Sequence, residues 1–260
     1  MSGSFVRRLF GRWAQQTAPS SDRERACGTS ERVEPQSLLL PERTRDRYRA
    51  VLHSFLLFRD DCARIPIKPR SPATEIAGPG WCSPGLPALD ALSLYCMLCL
   101  KNPKNYIELG SGPATRFARR AIRDRCLRTT ITVYDRLPYP GDPANLLADR
   151  RRRAPIPVAC DAIVAALEPG DILHVEISVV QGQGLSAIRD EILPNLRPGV
   201  LVHLSECLPL GDGDRTPEIL LSCADVSRDP ELPGILAPLW SAIGLGGDER
   251  CGKSCWIRAV

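Results

Sequence analysis

Tyr106-Ile-Glu-Leu-Gly-Ser-Gly-Pro-Ala-Thr115 is the stretch that decides the fold of this 260-residue chain. Strand-forming residues carry one acid, Glu108, into a Gly-x-Gly turn, and residues 115–125 have the composition of a helix. Gly110 and Gly112 leave the backbone of the turn bare, and the first N–H groups of a helix are free to bind polar ligand atoms. The stretch therefore predicts a strand, a ligand-binding turn and a helix N-terminus.

Two acids narrow the choice of ligand. Glu108 precedes the turn near the carboxyl end of its strand, where a carboxylate can hold an ammonium group, and Asp135 follows the next predicted strand, where it can accept from a diol. The turn also lacks the third glycine of a nicotinamide dinucleotide loop. An NAD-dependent oxidoreductase is therefore disfavoured, and an ammonium-bearing nucleoside is favoured.

Composition predicts one catalytic-size domain with an appendage, because the chain is 43% apolar and long enough for a sizeable core. The net charge of +4 is spread over a mixed surface whose basic residues are mostly arginine, so no nucleic-acid partner is expected. Its 11 cysteines lie largely in apolar runs such as residues 94–100, without a secretory signal, which predicts reduced thiols and a cytoplasmic protein. No apolar run is long enough to span a bilayer, so we expect a soluble chain.

The first 35 residues are predicted to be a flexible basic leader. Apolar side chains alternate with Arg7, Arg8 and Arg12 at helical spacing in residues 5–13, which predicts a short amphipathic helix. Weak contact with a membrane surface or a partner, an organelle presequence, and a tail that packs loosely on the domain all stay open.

Residues 36–85 are predicted to form a helical cap followed by a Pro/Gly-rich loop, with the helix at residues 41–61. Trp81 in that loop is either a lid residue or an anchor on the core. Residues 86–260 alternate helices and strands, which predicts a Rossmann-like α/β domain with a mostly parallel sheet flanked by helices. The predicted strands are 105–109, 129–134, 155–159, 171–177, 200–204 and 255–260; the predicted helices are 88–101, 115–125, 143–153, 162–167, 185–196, 217–223 and 235–243.

Three motifs carry a resemblance to a known family. Glu108-Leu-Gly-Ser-Gly112 is similar to the first motif of class I S-adenosylmethionine-dependent methyltransferases. Residues 170–180, GDILHVEISVV, and residues 192–209, ILPNLRPGVLVHLSECLP, resemble the bacterial small-molecule methyltransferases of the domain 24 type. The resemblance covers roughly residues 80–210 and the closing strand. It implies methyl transfer to a small molecule such as a sugar or a hydroxylated metabolite.

The resemblance also implies site residues. For the cofactor S-adenosylmethionine they are Glu108, Gly110, Ser111 and Gly112 at the methionine part, Asp135 at the ribose and Asp161 at the adenine. On the acceptor side the family has Asp and His after the fourth strand and His-x-His-Asp after the fifth. This chain has Glu176 and Val179 in the first place and His203-Leu-Ser205-Glu206 in the second.

Glu176, Glu206 and His203 are therefore the candidate catalytic residues, with the family's two imidazoles missing. Their spacing permits a divalent metal without requiring one, and no metal ligand is assigned. A catalytically degenerate protein that binds the cofactor in a regulatory or scaffolding role is the alternative function. Cys96-x-x-Cys99 is interpreted as buried packing. Arg150–Arg153 is interpreted as a solvated helix end or loop, with attraction of a phosphorylated or otherwise acidic substrate as the alternative.

Overall fold

The computed structural model describes residues 40–68, 78–135, 146–178, 180, 182–207 and 217–260. In these ranges the strands are β1 (Asn105–Leu109), β2 (Thr130–Tyr134), β3 (Arg150–Arg152), β4 (Ile172–Val175), β5 (Leu201–Leu204), β6 (Glu218–Ser222) and β7 (Cys255–Arg258). The α-helices are α1 (Glu42–Phe55), α2 (Arg59–Ala63), α3 (Ala88–Lys101), α4 (Pro113–Arg125), α5 (Ile156–Ala166), α6 (Gln183–Ala187), α7 (Cys223–Arg228), α8 (Leu232–Ile235) and α9 (Ala237–Ile243). The predicted leader and Val179 lie outside the described residues.

The strands form one seven-stranded sheet in the order β3-β2-β1-β4-β5-β7-β6. Strands β1 to β5 are parallel to their neighbours, whereas β7 runs antiparallel between β5 and β6. Helices connect the parallel strands, as in β1–α4–β2 and β3–α5–β4. The predicted Rossmann-like sheet is therefore confirmed. Because β7 runs the other way, its first residue lies at the edge where the parallel strands end.

Helices α3 and α4 pack on one face of this sheet. Every residue of α3 from Ala88 to Leu98 is buried, which explains why its sequence is apolar all round. Helix α4 begins with Pro113, whose missing N–H costs nothing at a helix start, and it buries only one side. The glycine turn thus leads directly into a helix anchored on the core.

The predicted cap helix belongs to the same core. Tyr48, Leu52 and Phe55 of α1 are buried among the residues of α3 and the sheet. The indole of Trp81 is 1% exposed, and its Nε1 donates to the carbonyl of Cys62 at 3.3 Å. Trp81 therefore anchors the loop on the core, and the lid interpretation is wrong.

Three segments differ from the sequence-based assignments. Residues 150–152 form the edge strand β3 rather than the end of a helix. Residues 155–159 form no strand, because Pro155 caps α5 and residues 156–159 form its first turn. Pro157 is tolerated there, since the first N–H groups of a helix have no partner within the helix. Residues 218–222 form β6 rather than a helical turn, since β7 offers them a pairing partner from far along the chain.

The cysteines described by the structure are all free, and Cys62, Cys96, Cys160, Cys223 and Cys255 are buried. Cys96 and Cys99 lie on the packed helix α3, in agreement with a packing role. Cys126 and Cys251 are exposed, so burial does not extend to every thiol. Among the described helices, none combines the length and the apolar character that crossing a membrane requires.

Candidate functional site

The glycine turn after β1 sits at the carboxyl edge of the sheet. Gly110 adopts φ +89°, a left-handed conformation that a side chain would strain, and its N–H donates to the carbonyl of Tyr134 at 2.9 Å. Gly112 is extended, and a Cβ placed there would meet no atom within 4 Å. The space beside Gly112 is therefore open to a ligand, at the N-terminus of α4.

Glu108 lies beneath this turn with its side chain fully buried. Its Oε1 accepts a hydrogen bond from the Thr115 hydroxyl at 2.8 Å, while Oε2 has no partner among the described residues. Burial raises the pKa of Glu108 to about 8; interactions with Thr115, Tyr106 and the backbone of Gly112 oppose this rise, and the nearby Glu176 adds to it. A positively charged ligand group beside Oε2 would satisfy this atom and favour the ionised carboxylate.

Asp135 follows β2 at the same edge of the sheet. Ser111, in the glycine turn, donates its hydroxyl to Asp135 Oδ2 at 2.7 Å, which links the turn to the end of the neighbouring strand. Gly110, Ser111, Gly112 and Asp135 are thus brought together as the sequence predicts. Asp161 is not, because it lies exposed on α5 instead of following a strand.

Glu176 follows β4 and is 6% exposed. Its Oε1 accepts hydrogen bonds from the hydroxyls of Ser178 and Ser205, at 2.7 and 2.9 Å. The Ser205 oxygen in turn accepts from the N–H of Ile177 at 2.9 Å, so one hydroxyl fixes the ends of β4 and β5 to each other. Ser205 therefore positions Glu176 and leaves Oε2 of that carboxylate for other contacts.

Glu206 follows β5 and forms an ion pair with Lys253, with 2.6 Å between Oε1 and Nζ. Burial is the largest single effect and lowers the pKa of Lys253, but the hydrogen bond and charge of Glu206, together with the charges of Glu176 and Asp90, outweigh it, so the pKa of Lys253 is raised. The backbone N–H of Lys253 donates to the carboxylate of Asp90, which also accepts from the N–H and hydroxyl of Ser254 at 3.0 and 2.6 Å. Asp90 thereby holds the start of β7, and with it Lys253, at the carboxyl edge.

His203 lies one residue before the end of β5, in the same row of the sheet as His174 and Glu108. It is fully buried, its ring stacks on Trp256 at 4.4 Å between centroids, and its Nδ1 lies 3.0 Å from Nδ1 of His174. Burial keeps the pKa of His203 well below its usual value and lowers that of His174 to about 4. Both rings are therefore neutral near pH 7, and the position of His203 is that of a core residue.

A cavity of about 420 Å³ lies beside the Glu206–Lys253 pair. Lys253 and Glu249 supply charged groups to its lining, and Trp81 and Leu86 supply apolar surface. Gly85 also lines the cavity, and a Cβ added to it would lie 3.9 Å from Cγ of Pro113, the residue after the glycine turn. The cavity thus includes Lys253 of the charged pair, and its lining residue Gly85 lies close to Pro113.

Sequence reasoning missed Lys253, Ser205 and Asp90 as members of this site. Lys253 and Glu206 are 47 positions apart, and Asp90 and Ser254 are 164 apart, so no local spacing connects them. Only Ser205 could have been noticed from the sequence, because it stands where the resembled family has a histidine. Within the described residues, no group of three or more potential ligand side chains is arranged to hold a metal ion.

Comparison with known proteins gives only distant similarity. No family model and no curated protein matches the chain. The SAH-bound methyltransferase PaMTH1 of Podospora anserina aligns with 15% identity and a TM-score of 0.37, covering 85% of this chain and 98% of that one. An O-methyltransferase from Bacillus cereus in complex with SAH aligns with 15% identity and a TM-score of 0.34, covering 81% and 90%. Such low TM-scores carry no inference about function, which depends on the residues of this chain.

Proposed function

We propose that this protein binds S-adenosylmethionine and transfers its methyl group to a small-molecule acceptor, such as a sugar or another hydroxylated metabolite. The observation that carries the proposal is the buried carboxylate of Glu108, whose Oε2 lacks a partner in the described chain. A buried acid of this kind is costly unless a ligand completes it. The ammonium group of a methionine moiety has the charge and the hydrogen-bond donors to do so.

The cofactor's other groups have candidate partners at the same edge. The open space at Gly112 admits a ligand close to the backbone, and Asp135 can accept hydrogen bonds from a ribose diol. Ser111 holds Asp135 in place for that contact. When bound, the cofactor supplies an electrophilic methyl group on a sulfonium, and the protein's part is to position the two reactants. Asp161 is the weakest member of the proposed cofactor set because it lies exposed on a helix.

The acceptor would enter the cavity lined by Trp81 and Lys253. Methyl transfer to oxygen or nitrogen needs the acceptor in line with the methyl group and, for a hydroxyl, a group that takes its proton. Glu176 is the first candidate for this role, since its Oε2 is left without a described protein partner while Ser205 holds Oε1. Glu206 is the second candidate, and Lys253 would orient it or the acceptor. His203 contributes to the core instead.

A second candidate function is cofactor binding without catalysis, in a regulatory or scaffolding role. The observation that favours it is that both candidate acids already have protein partners. Glu206 is ion-paired with Lys253, and Glu176 accepts hydrogen bonds from two hydroxyls. Each contact occupies a carboxylate oxygen that would otherwise be available to an acceptor hydroxyl. The two functions share the cofactor site and differ only in turnover.

Calorimetric titration with S-adenosylmethionine, SAH and NAD tests the shared part. Binding of the two sulfur compounds and not NAD is the expected result, whereas absence of binding by both sulfur compounds overturns the proposal. Production of SAH in the presence of a panel of hydroxylated acceptors then separates the enzyme from the binder. The Glu108→Ala variant should abolish binding, and Glu206→Ala should spare it.

A further inference from the structure

The sheet face opposite α3 and α4 is incompletely covered at its β3 edge. Parallel sheets normally bury both faces beneath helices. Here Ile107 of β1 is buried, but its neighbour Thr132 on β2 is only half-buried and Arg150 on β3 is exposed. These three residues are partners in the ladder and share one face. Within the described residues, this part of the sheet face has no helix packed over it.

A groove of about 660 Å³ occupies this part of the sheet face. Its floor consists of residues from β1, β2 and β3, and one wall is α5. Val158, Ala162 and Ala166 line that wall at intervals of four residues, and we call them the α5 ridge. Val158 is 79% exposed. Ridges at this spacing, built of small side chains, are the surface against which a second helix packs closely.

The opposite rim of the groove is the arginine run Arg150–Arg153. All four arginines are exposed, and Arg150 and Arg152 belong to the edge strand β3. Among the described residues, none of the four has an ion-pair or side-chain hydrogen-bond partner. Four adjacent uncompensated guanidinium groups repel one another. Carboxylates, which bind guanidinium groups in a bidentate manner, would relieve that repulsion.

The chain's own segments outside the described ranges suit this groove poorly by sequence. Residues 5–13 carry three arginines and no acid, so their charge is the same as that of the rim. Residues 69–77, 136–145 and 208–216 are rich in proline or glycine, which disfavours a helix, and residues 14–37 contain only one large aliphatic side chain, Val33. An acidic helix of another protein matches the charge of the rim better than these segments do.

We propose that this groove is a docking site for an acidic amphipathic helix of a partner protein. The helix would pack its apolar side on the α5 ridge and Thr132, and its carboxylates would pair with Arg150 and Arg152. This is the helix-in-groove mode of recognition, with the arginine rim selecting for acidic sequences. The site is separate from the proposed methyl-transfer site, so it does not depend on that function.

The test uses the full chain and a fluorescein-labelled synthetic helix of Glu, Leu and Ala, in which glutamates and leucines occupy separate faces. Fluorescence anisotropy should show saturable binding that weakens with salt between about 0.05 M and 0.3 M. The variants Arg150→Glu/Arg152→Glu and Val158→Glu should each weaken binding about tenfold or more. The matched control is Arg43→Glu/Arg128→Glu, which makes the same charge change at exposed positions elsewhere and should leave binding unchanged.

Two further peptides define specificity: one has every Glu replaced by Lys, and one has the same composition in scrambled order. Equal binding of either peptide overturns the proposal, as does failure of the acidic helix to bind. Tighter binding of a single-stranded oligonucleotide at the same arginines would overturn it in favour of a nucleic acid. A dimer in analytical ultracentrifugation that Arg150→Glu/Arg152→Glu dissociates would overturn it in favour of a second copy. Circular dichroism verifies that the exposed-site variants remain folded.

Discussion

Glu108 gives cofactor binding a pH dependence whose size follows from the structure. Burial raises its pKa to about 8, so the free protein carries mostly a neutral carboxylic acid at lower pH. A ligand ammonium binds the ionised form, and binding below pH 8 must therefore remove a proton from Glu108. At pH 6 only about one protein molecule in a hundred carries the ionised carboxylate, whereas near pH 8 about half of the protein and half of the ligand are in the forms that bind. We therefore expect the affinity for S-adenosylmethionine at pH 6 to be about 25-fold below its maximum.

The maximum should lie near pH 8, because the ligand's own α-amino group loses its proton above about that pH. Titration calorimetry at several pH values measures the affinity directly. Repeating it in buffers of different ionisation enthalpy at pH 7 should show a net release of about 0.8 proton per ligand bound, since Glu108 loses about 0.9 and the ligand amine gains about 0.1. An affinity that stays constant between pH 6 and pH 8 would refute the reasoning.

The Glu108→Gln variant is the matched control, because glutamine keeps the acceptor for Thr115 and cannot ionise. Its affinity at pH 8 should fall about tenfold to a hundredfold, and the rise between pH 6 and pH 8 should disappear. The same variant should weaken ligand binding but increase the stability of the fold. A carboxyl with a raised folded-state pKa destabilises the fold increasingly as pH rises above its unfolded-state value, and glutamine removes that cost. Urea unfolding at pH 8 should therefore show the variant to be more stable than the wild type, which separates lost binding from unfolding.

Three further changes test the remaining assignments. Glu206→Ala should lower SAH production about a hundredfold while calorimetry shows cofactor binding within about twofold of the wild type, and unchanged turnover would remove Glu206 from the mechanism. Gly252→Ala should cost about 1–3 kcal/mol in urea unfolding, because its Cβ would lie 2.7 Å from Asp90 Oδ1 and from Cys223 Cβ; full stability would contradict this packing. Trp81→Ala should cost about 3–5 kcal/mol by the same measurement, whereas a loss of turnover at full stability would revive the lid interpretation.

The sequence predicts those parts of the fold in which local pattern and tertiary environment agree. The apolar run at residues 105–109 and the glycines after it identify β1 and its turn, and both are observed. Prediction fails at Arg150–Arg152, because an edge strand of three arginines has neither apolar alternation nor strand-forming residues. It also fails at residues 155–159, where Pro, Ile and Val suggest a strand although proline is well tolerated in a helix's first turn.

In the candidate site, too, the sequence predicts the residues that are close together in the chain and misses those that the fold brings together. Glu108, Gly110, Ser111 and Gly112 are contiguous or nearly so, and the sequence predicts their common location correctly. The ion pair of Glu206 with Lys253 depends on β7 returning beside β5, and the acidic anchor at Asp90 depends on the same return. Neither contact leaves a periodicity or motif in the chain. The role of a residue at such a contact becomes visible only when the strand order is known.

The position of β7 also sets the order in which the site can be assembled during synthesis. In the described sheet β6 pairs with β7, and β7 alone joins it to β5. A ribosome that has released residues up to 250 has exposed β6 and Glu206, but neither the strand that seats β6 nor the lysine that pairs with Glu206. The carboxyl edge is consequently completed only after residues 253–258 have left the ribosome, and until then the unpaired strand edges of β5 and β6 are available to chaperones or to other nascent chains.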